Sequence, residues 1–169
     1  TMESMRQISA FVASDERVRD LFRRGRDAVL AEGGGAGGPM AARLRQELLD
    51  LVGPGWKRVG KDFSVRQLHF HLGPGSLSFL RVHKPGRFGD RMDEVRYTIV
   101  AANASRRATE GFETGRVQPG IRGVAAIDAI DPTTGTTTHV GAVEAGFAFP
   151  DMLQSLQAHS GAGYSVLLY

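Results

Sequence analysis

Three histidines and two arginines lie close together in the segment from residue 65 to residue 83. Residues 65–72 and 77–83 alternate apolar and polar side chains with period two, and the turn sequence Gly73-Pro74-Gly75 separates them. This pattern predicts a β-hairpin, in which successive side chains of each strand point to opposite faces of the sheet. One face is then expected to carry Gln67, His69, His71, Phe79, Arg81 and His83.

Cationic and aromatic side chains on one sheet face indicate a binding site for an anion. An antiparallel register is expected to place His71 opposite Phe79 and His69 opposite Arg81. Imidazoles and a guanidinium are costly to bury without partners, so a covered face of this kind must hold acids, anions or water. The planar fork of Arg81 suits a bidentate carboxylate and makes it the best single anchor. We expect the histidines to donate to the same ligand and Tyr97 to close the pocket.

Two other interpretations of these residues stay open. The face could be an ordinary solvent-exposed polar face of a half-buried sheet. Alternatively, His69, His71 and His83 could bind zinc or copper, although no nearby acid completes the set in sequence. We expect no cofactor and no catalysis, because no set of serine, histidine and acid stands out where strands end.

The composition is that of a folded domain and excludes several classes of protein. The 169 residues are 41% hydrophobic and 23% charged, which fits one compact domain rather than a disordered chain. The absence of cysteine excludes disulfides and cysteine-based zinc sites. The net charge is +3, but basic and acidic residues alternate, so the sequence shows no stripe for binding nucleic acid.

Helices are predicted on both sides of the hairpin. Apolar residues recur at three- and four-residue steps over residues 2–30, which predicts one long amphipathic helix with a possible interruption at Ser14-Asp15-Glu16. The glycine run 33–38 should form a linker. Further helices are expected at residues 39–51, closed by Gly53-Pro54-Gly55, at 90–106 and at 152–158.

The remaining strands predict an α+β fold. Three strands are expected at 111–116, 121–130 and 138–149, and a last apolar strand at 164–169. Together with the hairpin they make an antiparallel sheet of about five strands flanked by helices. We divide the chain into a helical segment, residues 1–55, and a sheet module, residues 56–169.

Several ordered motifs resemble the Cache sensor family of bacterial transmembrane receptors, and in particular its double-sensory branch. The resemblance begins at Leu68-His69-Phe70-His71-Leu72-Gly73-Pro74 and continues through residues 78–85 and Arg87-Phe88-Gly89-Asp90. It extends through residues 111–116, 120–124 and 139–147, and thus covers about residues 65–169.

The resemblance implies a periplasmic ligand-binding sensor domain of a methyl-accepting chemotaxis receptor or, alternatively, of a sensor histidine kinase. In this family a PAS-like antiparallel sheet cups amino acids, short carboxylates or related metabolites. The long N-terminal helix is then expected to continue from a membrane span of the parent receptor, to pack against its twin in a homodimer and to transmit the signal. This chain departs from a two-module member because it has strands for one sheet only.

Overall fold

The computed structural model describes residues 1–63, 65–114 and 119–165, and it begins with two helices, α1 (Met2–Ser14) and α2 (Glu16–Ala31). Asp15 separates them in an extended conformation, and its carboxylate accepts the backbone N–H groups of Arg17 at 2.8 Å and Val18 at 3.1 Å. An aspartate in this position caps a helix that starts after it. The predicted N-terminal helix is therefore confirmed, with its interruption at Asp15.

The third helix, α3 (Pro39–Phe63), is 25 residues long and contains Pro54. Its predicted end at Gly53-Pro54-Gly55 is wrong. An internal proline removes one backbone hydrogen bond and strains the helix, but Trp56 is buried in the core beyond it, and this packing favours continuation of the helix. Consequently α3 crosses residue 55, where we placed the division between the two segments of the chain.

Five antiparallel strands form one sheet in the order β2-β1-β5-β4-β3, which confirms the predicted α+β class. The strands are β1 (Gln67–Leu72), β2 (Leu77–Arg81), β3 (Thr109–Glu113), β4 (Gly120–Ile130) and β5 (Thr137–Ala148). The strand expected at 164–169 is not seen at residues 164 and 165, which have no regular structure. Its remaining residues, 166–169, lie outside the described part of the chain.

Two more helices flank the sheet, α4 (Tyr97–Ser105) and α5 (Phe149–Ser160). The helix predicted over 90–106 begins only at Tyr97, because the residues before it run along the hairpin. Arg91 forms a β-bridge with Leu77, and the carboxylate of Asp93 accepts the backbone N–H of Ser76 at 2.7 Å. These contacts hold the segment against the hairpin, and a turn at residues 93–95 precedes α4.

The two faces of the sheet are covered differently. Helix α1 packs against β4 and β5, where the Ser9 hydroxyl donates to the Gly123 carbonyl at 2.7 Å and accepts the Ala145 N–H at 2.8 Å. Residues with the opposite side-chain direction, Val124 and Ala142, pack against α4. The site described below lies on this second face. None of the described helices is long and apolar enough to cross a membrane.

Candidate functional site

A cavity of about 800 Å³ lies on the α4 side of the sheet, between the hairpin, the loop of residues 84–90 and the start of β4. Its lining is strongly basic, and among the described residues it includes six arginines and lysines but one acid. The lining residues are Arg66, Gln67, His69, Arg81, His83, Lys84, Gly86, Arg87, Phe88, Asp90, Met92, Arg96, Pro119, Arg122 and Ala148.

Beneath the cavity, Glu144 of β5 is fully buried among three basic side chains. Its carboxylate oxygens lie 3.1 Å from Arg122 Nε, 3.6 Å from Arg96 Nε and 3.4 Å from His71 Nε2. Burial raises the pKa of Glu144, but His71, Arg122 and Arg96 together outweigh burial and lower the pKa to about 2. Glu144 is therefore a charged group that holds the cationic residues of the cavity floor in place.

Arg122 is the third residue of β4, and it lines the cavity. It is 2% exposed, and burial lowers its pKa despite the opposing effect of Glu144. Gly146, its partner across the sheet, leaves room for the guanidinium, since a Cβ atom there would collide with Arg122 Nη1. The Gln67 amide satisfies its hydrogen bonds when its oxygen faces Arg122, and this oxygen then accepts from Arg122 Nη2 at 3.0 Å. These contacts fix the guanidinium at the cavity wall.

Arg96 is positioned at the start of α4 by a second buried acid. Glu113 Oε2 lies 3.3 Å from Arg96 Nη1, while Glu113 Oε1 accepts the backbone N–H of Thr98 at 2.9 Å and its hydroxyl at 2.8 Å. One carboxylate therefore caps the helix and holds the arginine beside it.

The histidines of β1 are buried and in contact with each other. The rings of His69 and His71 have centroids 3.7 Å apart, and His69 Nε2 forms a 2.8 Å hydrogen bond with the Ser78 hydroxyl. Burial, followed by the nearby basic groups, holds the pKa of His69 well below its ordinary value. Burial also lowers the pKa of His83, whose Nδ1 lies 3.3 Å from the Leu68 carbonyl oxygen. The lowered pKa values favour the uncharged forms of His69 and His83, the two histidines that line this wall.

Arg81 borders the cavity opposite His69, in the register that alternation predicts. Its two terminal nitrogens donate to the Asp90 carboxylate at 2.7 and 2.8 Å, and Nη1 also donates to the Arg87 carbonyl at 2.8 Å. The guanidinium thus closes the loop of residues 84–90 against the hairpin.

The predicted pairing of His71 with Phe79 is wrong, because a β-bulge pairs His71 with Ser78. One extra residue in β2 reverses the direction of the side chain. Phe79 therefore points away from the cavity, and its ring centroid lies 5.6 Å from that of Phe22 on α2. Tyr97 is 68% exposed and does not line the cavity.

Of the six residues predicted for the site, the cavity brings three together. His69, Arg81 and His83 line it, and His71 lies behind them against Glu144. Sequence reasoning missed Arg96, Arg122 and Glu144. The signal that could have found the last two is a charged residue between apolar residues of a strand, which is rarely buried unless the charge has a partner.

A metal ion fits this arrangement poorly. His69, His71 and Glu144 each offer a ligand atom within 4.8 Å of the others. However, the guanidinium groups of Arg96 and Arg122 already surround the Glu144 carboxylate. A cation bound to Glu144 would lie close to both of these positive charges, and the repulsion is strong in a buried site. The geometry favours an anion above this floor.

Three solved structures are similar to this chain at low sequence identity. The sensor domain of E. coli DcuS is 14% identical and aligns over 83% of this chain and 98% of its own, with a TM-score of 0.45. The sensor domain of the V. cholerae histidine kinase DctB is 11% identical over 91% of this chain and 55% of its own, with a TM-score of 0.46. The sensory domain of the Campylobacter jejuni chemoreceptor Tlp3 (CcmL) is 11% identical over 88% and 67%, with a TM-score of 0.36.

The family is shown by a match over nearly the whole chain. No curated protein matches the sequence. Residues 3–169 match the family model described as the double sensory domain of two-component sensor kinase (dCache_3). This match confirms the Cache resemblance of the sequence motifs, and the chain belongs to this family of sensor domains.

Proposed function

We propose that the chain is the periplasmic ligand-binding part of a membrane-anchored receptor and that its cavity binds a small organic anion such as a short carboxylate. The observation that supports this proposal is the excess of positive charge at the cavity. Acids lie within 4 Å of Arg66, Arg81, Arg96 and Arg122. Within the described residues, neither Lys84 nor Arg87 has such a partner, so both can attract an anion.

The size of the cavity also suits a small metabolite. Ligand-binding clefts commonly measure about 300–1,000 Å³, and this one measures about 800 Å³. Phe88 and Met92 add apolar surface to the basic lining, so a carboxylate with a short carbon skeleton would find partners for both of its parts. The role is binding, and we propose no catalysis.

The parent protein is proposed to be a sensor histidine kinase. The family description names two-component sensor kinases, whereas the sequence resemblance gave first place to a chemotaxis receptor. In either receptor, a ligand shifts the signalling state only through a difference in its affinity for two conformations. We propose that the helical N-terminal segment transmits this shift in a homodimer.

A thermal-shift screen tests the proposal. Acetate, pyruvate, lactate, succinate and the common amino acids are each added to the purified chain at matched ionic strength. A compound that binds is expected to stabilise the fold by about 2.7 kcal/mol at 100 times its dissociation constant. If no compound of this panel raises the melting temperature, the proposal of a small organic anion is contradicted.

A pair of variants locates the binding site. Arg87→Gln removes a cation from the cavity loop and is expected to weaken the binding of any carboxylate found in the screen. Arg43→Gln is the matched control, because Arg43 lies on the exposed surface of α3 and pairs with Glu47 outside this cavity. Equal loss in both variants would indicate a general charge effect and contradict the assigned site.

A metal-binding module is the second candidate, because two histidines and Glu144 approach one another closely. It predicts that the purified protein contains stoichiometric zinc or copper and that chelation lowers its stability. Metal analysis of the protein separates the two candidates. Since two arginines contact the same carboxylate, we expect no stoichiometric metal.

A further inference from the structure

The carboxylate of Asp90 binds the guanidinium of Arg81, which is the group that an anionic ligand would use. It is the one acid in the cavity lining across residues 1–63, 65–114 and 119–165. Its two oxygens accept from the two terminal nitrogens of Arg81 at 2.7 and 2.8 Å. Ligand carboxylates bind arginine in the same bidentate geometry. The side chain of Asp90 thus presents to Arg81 the chemical group that we propose for the ligand.

The contact between Asp90 and Arg81 is of a kind that an external anion can replace. The Asp90 side chain is 43% exposed, whereas that of Arg81 is 12% exposed. Water competes for a half-exposed carboxylate, and an external carboxylate can offer Arg81 the same two hydrogen bonds in exchange. An anion in the cavity would therefore reach a largely buried guanidinium by displacing a partner that is half exposed to solvent.

The backbone around Asp90 does not depend on its side chain. The Ser78 N–H donates to the Asp90 carbonyl at 2.9 Å, and the Gly89 N–H donates to the Ser78 carbonyl at 2.8 Å. These two bonds attach the end of the loop to β2. Neither bond involves the carboxylate, so both can remain when the carboxylate leaves Arg81.

We propose that Asp90 is an internal competitor for anions at Arg81, which raises the concentration of ligand needed to occupy the cavity. This inference rests on the proposed function and deepens it. Displacement of Asp90 removes the hydrogen bonds of its carboxylate to Arg81 and leaves the bond from Arg81 Nη1 to the Arg87 carbonyl. The loop also contacts Arg45 of α3, whose guanidinium carbon lies 3.7 Å from the ring centroid of Phe88. Movement of the loop would therefore reach α3 directly.

The test compares Asp90→Asn with Glu47→Gln in the whole chain, with sodium sulfate as the probe and sodium chloride of equal ionic strength as the reference. Both variants remove one negative charge, but Glu47 pairs with Arg43 outside the cavity. Asparagine keeps the shape of aspartate and one acceptor for Arg81. We expect Asp90→Asn to bind sulfate about three- to tenfold more tightly than the unchanged chain, because a neutral amide competes for Arg81 less strongly than a carboxylate.

Three outcomes would overturn the inference. Affinities for sulfate that are equal in the two variants would show that Asp90 does not compete. Weaker binding by Asp90→Asn would show that Asp90 orients Arg81 for the ligand. Absence of sulfate binding in every protein would show that Arg81 does not accept anions. Asp90→Ser provides a second variant if Asp90→Asn does not fold.

The outcome is separable from that of the proposed function. If a carboxylate binds the unchanged chain and binds Asp90→Asn no more tightly, the role of Asp90 as a competitor is contradicted. The proposed binding of a small organic anion then still stands. Sulfate binding that is enhanced in Asp90→Asn, without any carboxylate binding in the screen, would support the competitor and leave the small organic anion without support.

Discussion

Glu144 shows how a single buried charge organises the site. It lies in an apolar strand directly across from His69, and its two oxygens face the side chains of Arg96, Arg122 and His71. Isolated charges are almost never buried, because the loss of hydration is not recovered without partners. The carboxylate and its partners must therefore be considered as one unit.

Replacement of Glu144 by glutamine should destabilise the fold strongly. Glu144→Gln leaves the buried guanidinium of Arg122 without its counter-charge, and removal of one partner from a buried pair costs about 3–5 kcal/mol. Urea unfolding at pH 7 measures the loss. Glu47→Gln, which breaks an exposed pair with Arg43, is the control and should cost no more than about 1 kcal/mol. Similar values for both variants would contradict the role of Glu144.

The stability of the fold should fall as the pH is lowered from 7 to 5. Because burial holds the pKa of His69 well below its ordinary value, the unfolded chain binds a proton near pH 6.5 that the folded chain does not bind. The stabilisation is complete above the unfolded pKa and decreases below it, by at most about 1.4 kcal/mol per pH unit for each such proton.

His69→Gln tests the origin of this pH dependence. The variant keeps a side chain that can bond to the Ser78 hydroxyl but no longer titrates. Its free energy of unfolding, measured in urea at several pH values, should depend less steeply on pH between 7 and 5. His83, whose pKa burial also lowers, should provide the remaining slope. An unchanged slope would contradict the assignment to His69.

At the scale of the elements, glycines decide how closely the helices approach the sheet. A Cβ atom at Gly123 would collide with the backbone of Met5 and Arg6 in α1. Because backbone cannot move aside as the tip of a side chain can, a methyl group there must push the helix away from β4. The hydrogen bonds between Ser9 of α1 and strands β4 and β5 would lengthen as the helix moves away.

Two glycine-to-alanine substitutions should act in opposite directions. Gly123→Ala is expected to destabilise the chain by about 1–3 kcal/mol, the usual cost of overpacking. Gly55→Ala, in the interior of α3 and with no atom within 4 Å of the added Cβ, should stabilise it by up to about 1 kcal/mol, because alanine favours helix. Thermal unfolding of both variants measures the difference. A neutral Gly123→Ala would mean that α1 packs less closely than described.

Local patterns predicted the elements better than their exact pairing. Alternation placed the hairpin and paired His69 with Arg81, but it cannot reveal an extra residue in one strand. The bulge turns Phe79 to the side of Phe22, because burial of its ring among aromatic residues is favourable. For the same reason, packing of Trp56 carried α3 past Pro54, where the local signal predicted a helix end.

At the scale of the whole molecule, the fold class and family could be predicted from the sequence, whereas half of the site could not. The order of helices and strands and the motifs of the hairpin were sufficient for the first. Arg96, Arg122 and Glu144 come from three distant segments, and only the order of strands in the sheet brings them together. Contacts of this kind depend on strand pairing, which a pattern along one segment does not contain.

The proposed homodimer can be tested through the N-terminal segment. Phe11 on α1 is 81% exposed, and a large exposed apolar side chain would be covered if this helix packs against its twin. Sedimentation at increasing protein concentration should show a dimer whose dissociation constant rises in Phe11→Glu. Leu30→Glu, at an exposed position near the end of α2, serves as the comparison. A monomer at every concentration would contradict the proposal that this chain forms a homodimer by itself.

The extended conformation of Asp15 limits how force can pass along the N-terminal segment. Helical rigidity depends on continuous backbone hydrogen bonding, and at Asp15 the backbone leaves the helical conformation. A torque applied to α2 therefore meets a pivot before it reaches α1. Twist that the first helix receives would then come largely through the strands to which Ser9 is bonded, and α1 would carry it onward.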